Sequence, residues 1–181
     1  MFCNGQNGYI RLYSYPVTDS YRNLWDVPNL LLQKISAPNF TATTKLTFKP
    51  TKKYTGERTG LVVMGLDYAG LFVENTKDGL VLSQADRGSL EKTNASVSLE
   101  GNTVYLKSTF STMDRKNAGN EGGYDLVVMC KFSYSMDGMT YRSLGIPFRV
   151  KEGRWIGAKT GLFCTRPSIQ TTDVDWFRIG K

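Results

Sequence analysis

Two carboxylates placed on one strand face can divide acid and nucleophile duty between them, so the spacing of Asp and Glu is read first. None of Glu57, Glu74, Glu91, Glu100, Glu121 or Glu152 begins an i, i+2, i+5 series that would line one face. Asp173 and Asp175 are the only acidic pair at i, i+2, and Phe177 and Ile179 continue their period-two face toward an interior. That places Asp175 partly out of water. A carboxylate so placed needs backbone donors or a cation, and calcium, which prefers hard oxygen ligands, is the fitting cation. Backbone donors are the plainer expectation; Asp175 is the candidate ligand for a structural calcium ion, and no other cofactor is expected.

The sequence contains no histidine, which removes the usual general base, the serine-type triads and most zinc sites together. Chemistry would rest on carboxylates, Lys, Tyr or Cys. The three cysteines, Cys3, Cys130 and Cys164, show no CxxC spacing, so neither a metal knuckle nor a redox pair is encoded. Under period two Cys130 shares a face with Phe132 and Cys164 with Leu162, and buried free thiols are expected in preference to a disulfide between their strands. The balance of 23 basic and 16 acidic residues leaves +7, which raises the question of nucleic acid. Lys and Arg are scattered, however, and the densest cluster, Lys49, Lys52 and Lys53, sits beside Pro50 in a turn, so no nucleic-acid partner is expected. No apolar run approaches membrane-span length, because Leu30, Leu31 and Leu32 are followed at once by Gln33 and Lys34; no membrane is expected either.

The elements that would position any site are nearly all strands. The runs "FTATTKLTF" (40–48), "GLVVMG" (60–65), "TVYLKSTFST" (103–112) and "YDLVVMCKFSYS" (124–135) are β-branched or aromatic, of strand length and partly alternating. "NLLLQKIS" reads equally as a buried strand. Asp78-Gly79 and Asp137-Gly138 fall between such runs and signal hairpins, while "DRKNAGNEGG" (114–123) reads as a surface loop. Turns at this spacing over 181 residues give an all-β domain of more than about ten strands, a two-sheet antiparallel β-sandwich (jelly roll) rather than a barrel. No composition break divides the chain, so residues 1–181 are read as one domain.

Alternation then assigns faces. Val104, Leu106 and Phe110 fall on one side of their strand and Tyr105 and Lys107 on the other; Met129, Lys131 and Ser133 likewise oppose Cys130, Phe132 and Tyr134. Tyr105, Lys107 and Lys131 therefore look outward, as solvated side chains or, in the case of Tyr105 and Lys107, as part of a sugar-binding face. A second feature is "GRWIGAKTGLFC" (153–164), where Gly157 and Gly161 mark a strand that bends or is closely approached and Trp155 stands at its head.

Taken in order, "PNLLLQKISAPNFTATTKLTF" (28–48), "ERTGLVVMGLDYAGL" (57–71), "FSYSMDGMTY" (132–141), "GRWIGAKTGLFC" and "DVDWFRI" (173–179) resemble the C-terminal concanavalin A-like β-sandwich of family 43 glycoside hydrolases, the β-xylosidase and α-L-arabinofuranosidase group. The resemblance covers nearly the whole chain. It implies a sandwich packed against a catalytic five-bladed β-propeller that carries the acidic residues, with one sandwich loop placing an aromatic residue at the rim of the active site. The corresponding loop here contains Gly157 and Ala158, and Trp155 stands nearest the aromatic position, either at the rim or packed beneath the loop.

The resemblance thus implies a non-catalytic accessory domain of a xylan-degrading hydrolase that helps to shape its substrate pocket. The catalytic residues would lie on a propeller outside this sequence, and the strand-like "GYIRLYSY" so soon after Met1 suggests a domain taken from a longer chain. The alternative is an autonomous carbohydrate-binding module that stacks sugars on residues such as Tyr105. Expected partners are the propeller and a xylo- or arabino-oligosaccharide, held by Trp155, Tyr105 and Lys107. A polysaccharide substrate suggests a secreted or periplasmic parent enzyme.

Overall fold

The computed structural model describes residues 8–14, 23–27, 30–35, 39–50, 55–116, 124–153, 157–165 and 171–180. In chain order the strands are β1 Ile10–Tyr13, β2 Leu30–Lys34, β3 Phe40–Lys49, β4 Arg58–Met64, β5 Tyr68–Thr76, β6 Gly79–Arg87 and β7 Glu91–Ser98. They continue with β8 Thr103–Lys116, β9 Tyr124–Ser135, β10 Arg142–Ser143, β11 Phe148–Arg149, β12 Lys159–Thr165 and β13 Thr171–Gly180. A 3-10 turn, Leu24–Asp26, precedes β2, and the described residues contain no α-helix. One sheet of seven strands runs β1-β13-β3-β8-β9-β10, with β11 also paired to β9; the other, of six, runs β2-β12-β4-β5-β6-β7. Every pairing is antiparallel. The expected two-sheet sandwich is therefore the fold.

The two sheets bury side chains by different rules. In the seven-stranded sheet, one face meets the core and the other meets water, so β3 alternates strictly, with Phe40, Ala42, Leu46 and Phe48 inward. The six-stranded sheet is covered on both faces in its middle, and β4 is buried without a break from Thr59 to Met64. Its inner face gives Leu61, Val63, Leu71, Leu82 and Leu162 to the main core. Its outer face gives Val62, Met64, Tyr68, Phe72 and Phe163 to a second cluster closed by Leu24 and Val27 of the 3-10 segment. Glycines make that second layer possible. Gly60 lies in register between Phe72 and Phe163, whose ring centroids are 5.2 Å apart, and a Cβ on Gly60 would overlap the Leu71 carbonyl and come within 3.2 Å of the Phe163 ring. Both phenylalanines are fully buried, each stabilising the fold by roughly 1.5–3 kcal/mol relative to exposure.

Several expectations are met and several are corrected. Asp78-Gly79 forms a hairpin, although Thr76 and Gly79 are already paired, so the two turn residues are Lys77 and Asp78 and Gly79 enters β6 with φ 119°. Cys130 and Cys164 are buried free thiols, pushed above the ordinary thiol range chiefly by burial, Cys164 to about 11. Cys3 lies outside the described residues. "NLLLQKIS" does contain a strand, but among the described residues β2 pairs only with β12 and lies at the edge of its sheet, and Leu31 is 39 % exposed, so it is not a buried strand. Of the expected loop at 114–123, residues 114–116 continue β8, with Lys116 opposite Tyr124, and residues 117–123 lie outside the described set. Lys49 closes β3, while Lys52 and Lys53 are not described.

The largest correction concerns β13. A bulge between Val174 and Trp176 inserts Asp175 as an unpaired residue, which breaks the period on which Asp173, Asp175, Phe177 and Ile179 were placed on one face. Phe177 and Ile179 do pack on the core, but Asp173 and Trp176 point to the opposite, outer face. The more buried carboxylate is Asp173, only 4 % exposed.

Candidate functional site

Two regions bear on the residues expected to meet a ligand. Tyr105 and Lys107 lie on the outer face of the seven-stranded sheet, as alternation predicts. Strand register brings them companions that the sequence alone does not reveal. One rung across the sheet is Trp176, Lys45, Tyr105 and Ser135, and the next is Arg178, Thr43, Lys107 and Ser133.

Cations and rings interleave along this face. The Lys107 ammonium lies 3.5 Å from the centroid of the Tyr141 ring, Arg178 lies 4.6 Å from that of Trp176, and Lys45 lies 6.0 Å from that of Tyr105. Tyr105 and Trp176 are tilted neighbours with centroids 6.2 Å apart. The Asp137-Gly138 turn folds against Tyr105, because a Cβ on Gly138 would stand 2.8 Å from its ring. That turn is fixed by Asp137, whose carboxylate accepts from the Ser135 hydroxyl at 2.7 Å and from the Met139 and Thr140 amides at 2.8 Å each. Those donors, the hydroxyl foremost, hold the Asp137 carboxyl at about 2.

Asp175 pairs with the Lys45 ammonium, which raises the Lys45 pKa. Asp173 accepts from Arg11 Nε at 2.6 Å, Arg11 Nη2 at 3.0 Å and Lys49 Nζ at 3.0 Å. The Arg11 contact above all keeps the Asp173 carboxyl below the usual range. Side-chain cations face both carboxylates, and no group of three His, Cys, Asp or Glu side chains gathers among the described residues.

The second place is the end of the sandwich that carries "GRWIGAKTGLFC". Trp155 itself lies outside the described residues, but both flanks of its loop are defined. On the leading side the Glu152 carbonyl accepts from the Leu66 amide at 3.0 Å, and Lys151 pairs with Asp67. Gly65 runs so close to this segment that a Cβ would overlap the Lys151 carbonyl. On the trailing side the Ala158 carbonyl accepts from the Ile35 amide at 3.0 Å. Between the flanks opens a cleft of about 530 Å³, lined by Ile35, Leu66, Val128, Arg149, Val150 and Ala158 among others. Leu66 at the tip of the β4–β5 hairpin is 50 % exposed. The same hairpin is braced by Trp25, whose indole N–H donates to the Gly65 carbonyl at 3.3 Å, with Arg87 4.9 Å from its ring centroid. Gly161 meets its expectation, because a Cβ there would overlap the Leu31 carbonyl of β2, whereas a Cβ on Gly157 would have, among the described residues, only Lys34 Cε near, at 3.9 Å.

The cleft opens between two hydrogen-bonded flanks beside an exposed apolar tip, and the outer sheet face holds stacked cations. The family model of the beta xylosidase C-terminal concanavalin A-like domain matches residues 1–180. No curated protein matches the chain. Among solved structures, a bifunctional GH43-CE protein from Bacteroides eggerthii is 20 % identical with a TM-score of 0.77 over 97 % of this chain and 21 % of its own. The GH43 protein BlXynB from Bacillus licheniformis is 19 % identical with a TM-score of 0.71 over 95 % of this chain and 32 % of its own. An engineered GH43 glycoside hydrolase with both endo-xylanase and exo-arabinofuranosidase activity is 19 % identical with a TM-score of 0.80 over 99 % of this chain and 36 % of its own. The chain thus spans about a fifth to a third of the proteins it resembles, and at these identities the likeness is one of fold. With the family model covering the chain from end to end, this protein belongs to the family of concanavalin A-like domains found at the C-terminus of GH43 glycoside hydrolases.

Proposed function

We propose that this domain is the non-catalytic companion of a GH43 catalytic β-propeller, packing on it and helping to shape its substrate pocket with the loop that contains Trp155. The observation that carries this reading is the way the segments on either side of Trp155 are held: both are hydrogen-bonded to neighbouring elements, and Gly65 admits the leading one to close backbone contact. Flanks fixed in this way need little further ordering when a partner docks against them. The exposed Leu66 beside these flanks gives the partner apolar surface. Glycosidic hydrolysis of the xylosidase or arabinofuranosidase type, on a xylo- or arabino-oligosaccharide, would belong to the propeller, in a secreted or periplasmic enzyme. An autonomous module stacking neutral sugars on Tyr105 is less well supported, because the Asp137-Gly138 turn lies against that ring.

The test is titration calorimetry of the 181-residue chain with xylohexaose, beside Trp155→Ala, together with assays on aryl xyloside and arabinofuranoside. No heat and no product are expected from either protein alone. A GH43 propeller produced without its own sandwich should gain activity when the chain is added and gain less with Trp155→Ala. Clear heat with the chain alone that disappears in Trp155→Ala would overturn the proposal in favour of a binding module.

A further inference from the structure

The outer face of the seven-stranded sheet bears charge that the accessory role leaves unused. Asp173 and Asp175 are matched by Arg11, Lys49 and Lys45. Lys107, Arg178 and the exposed Lys131 on the same face have no carboxylate within ion-pair distance among the described residues. Lys107 and Arg178 instead rest on the Tyr141 and Trp176 rings. Stacking of this kind orients a cation without neutralising it, so its charge stays available to an outside anion. The two stand in register on either side of Thr43, two strand spacings or about 10 Å apart, with the Thr43 side chain between them.

A ligand suited to this arrangement is extended, carries carboxylates at intervals and offers hydroxyls between them. Neutral glycans and single-stranded nucleic acids both rely on open ring faces for stacking, and here a cation already lies over one face of the Tyr141 ring and one of the Trp176 ring. We infer that the outer face formed by β13, β3 and β8 binds an acidic polysaccharide, with Arg178 and Lys107 each receiving a uronate carboxylate. The site uses different elements from the Lys151–Ala158 loop, so it stands or falls separately from the accessory role.

The probe is polygalacturonate, tested by affinity electrophoresis and calorimetry against the same polymer fully methyl-esterified. The chain is expected to bind the acid form, more weakly as salt is added, and to bind the ester at least about tenfold less tightly. The double variant Lys107→Ala/Arg178→Ala should lose a similar factor, whereas Lys92→Ala on β7 should not. Matching urea midpoints for the variants exclude a folding defect, and the ester comparison needs no variant at all. Absence of binding to polygalacturonate, equal binding to the ester, or tighter binding to a single-stranded oligonucleotide would each overturn the inference.

Discussion

Asp173 offers the sharpest test of how this sandwich is held at its β1 and β13 edge. Asp173→Asn keeps the side-chain size, removes the charge and leaves Arg11 and Lys49 without their anion. The carboxylate side chain is 6 % exposed, but Arg11 is 30 % and Lys49 54 % exposed, so water can reach both cations once the anion is gone. Breaking a fully buried pair costs about 3–5 kcal/mol and an exposed one about 0–1 kcal/mol, which puts this substitution at about 1–3 kcal/mol. In a domain of this length each kcal/mol lowers Tm by about 2–4 °C. The effect must also depend on pH with a definite sign. The folded carboxyl titrates below its unfolded value of about 3.9, so its contribution is complete above that value and is lost as pH falls through the folded pKa. Urea unfolding of both proteins at pH 7 and again near pH 2 should therefore show a gap that narrows in acid. A variant as stable as the parent at pH 7, or a gap of the same size at both pH values, would refute the reasoning.

Two further outcomes follow from the core. Phe163→Ala should cost about 3–5 kcal/mol in urea unfolding, because it empties the layer outside the six-stranded sheet where Phe163 meets Phe72 over Gly60; a loss below about 1 kcal/mol would show that layer to be slack. Cys130 and Cys164 should resist a thiol reagent at pH 8 until denaturant is added, since both are buried and Cys164 is raised to about 11, and labelling of either in the native protein would count against that burial.

How much of this was legible in the sequence depends on whether a feature is set along the chain or across it. β3 and β8 could be read by eye, because a sheet with one wet face writes its burial into period two, and Tyr105 and Lys107 were turned outward on that basis alone. β4 could be recognised as a strand but not assigned faces, because both of its faces are covered and its apolar run carries no alternation. The partners of Tyr105 and Lys107 were out of reach for a different reason. Lys45 and Trp176 come to Tyr105 through the pairing of β3 with β8 and β13, strands far apart in sequence, and no local pattern encodes that register. In β13 even the local pattern misleads. One inserted residue at Asp175 reverses the faces of everything after it, which sends Trp176 and Arg178 outward beside Lys45 and leaves Phe177 and Ile179 on the core. Without the bulge, strict alternation would carry Phe177 and Ile179 to the outer face with Asp173 and turn Trp176 and Arg178 into the core, where an unpaired guanidinium is not tolerated. The bulge is therefore what allows one strand to supply both the sandwich interior and the cationic, aromatic surface opposite it.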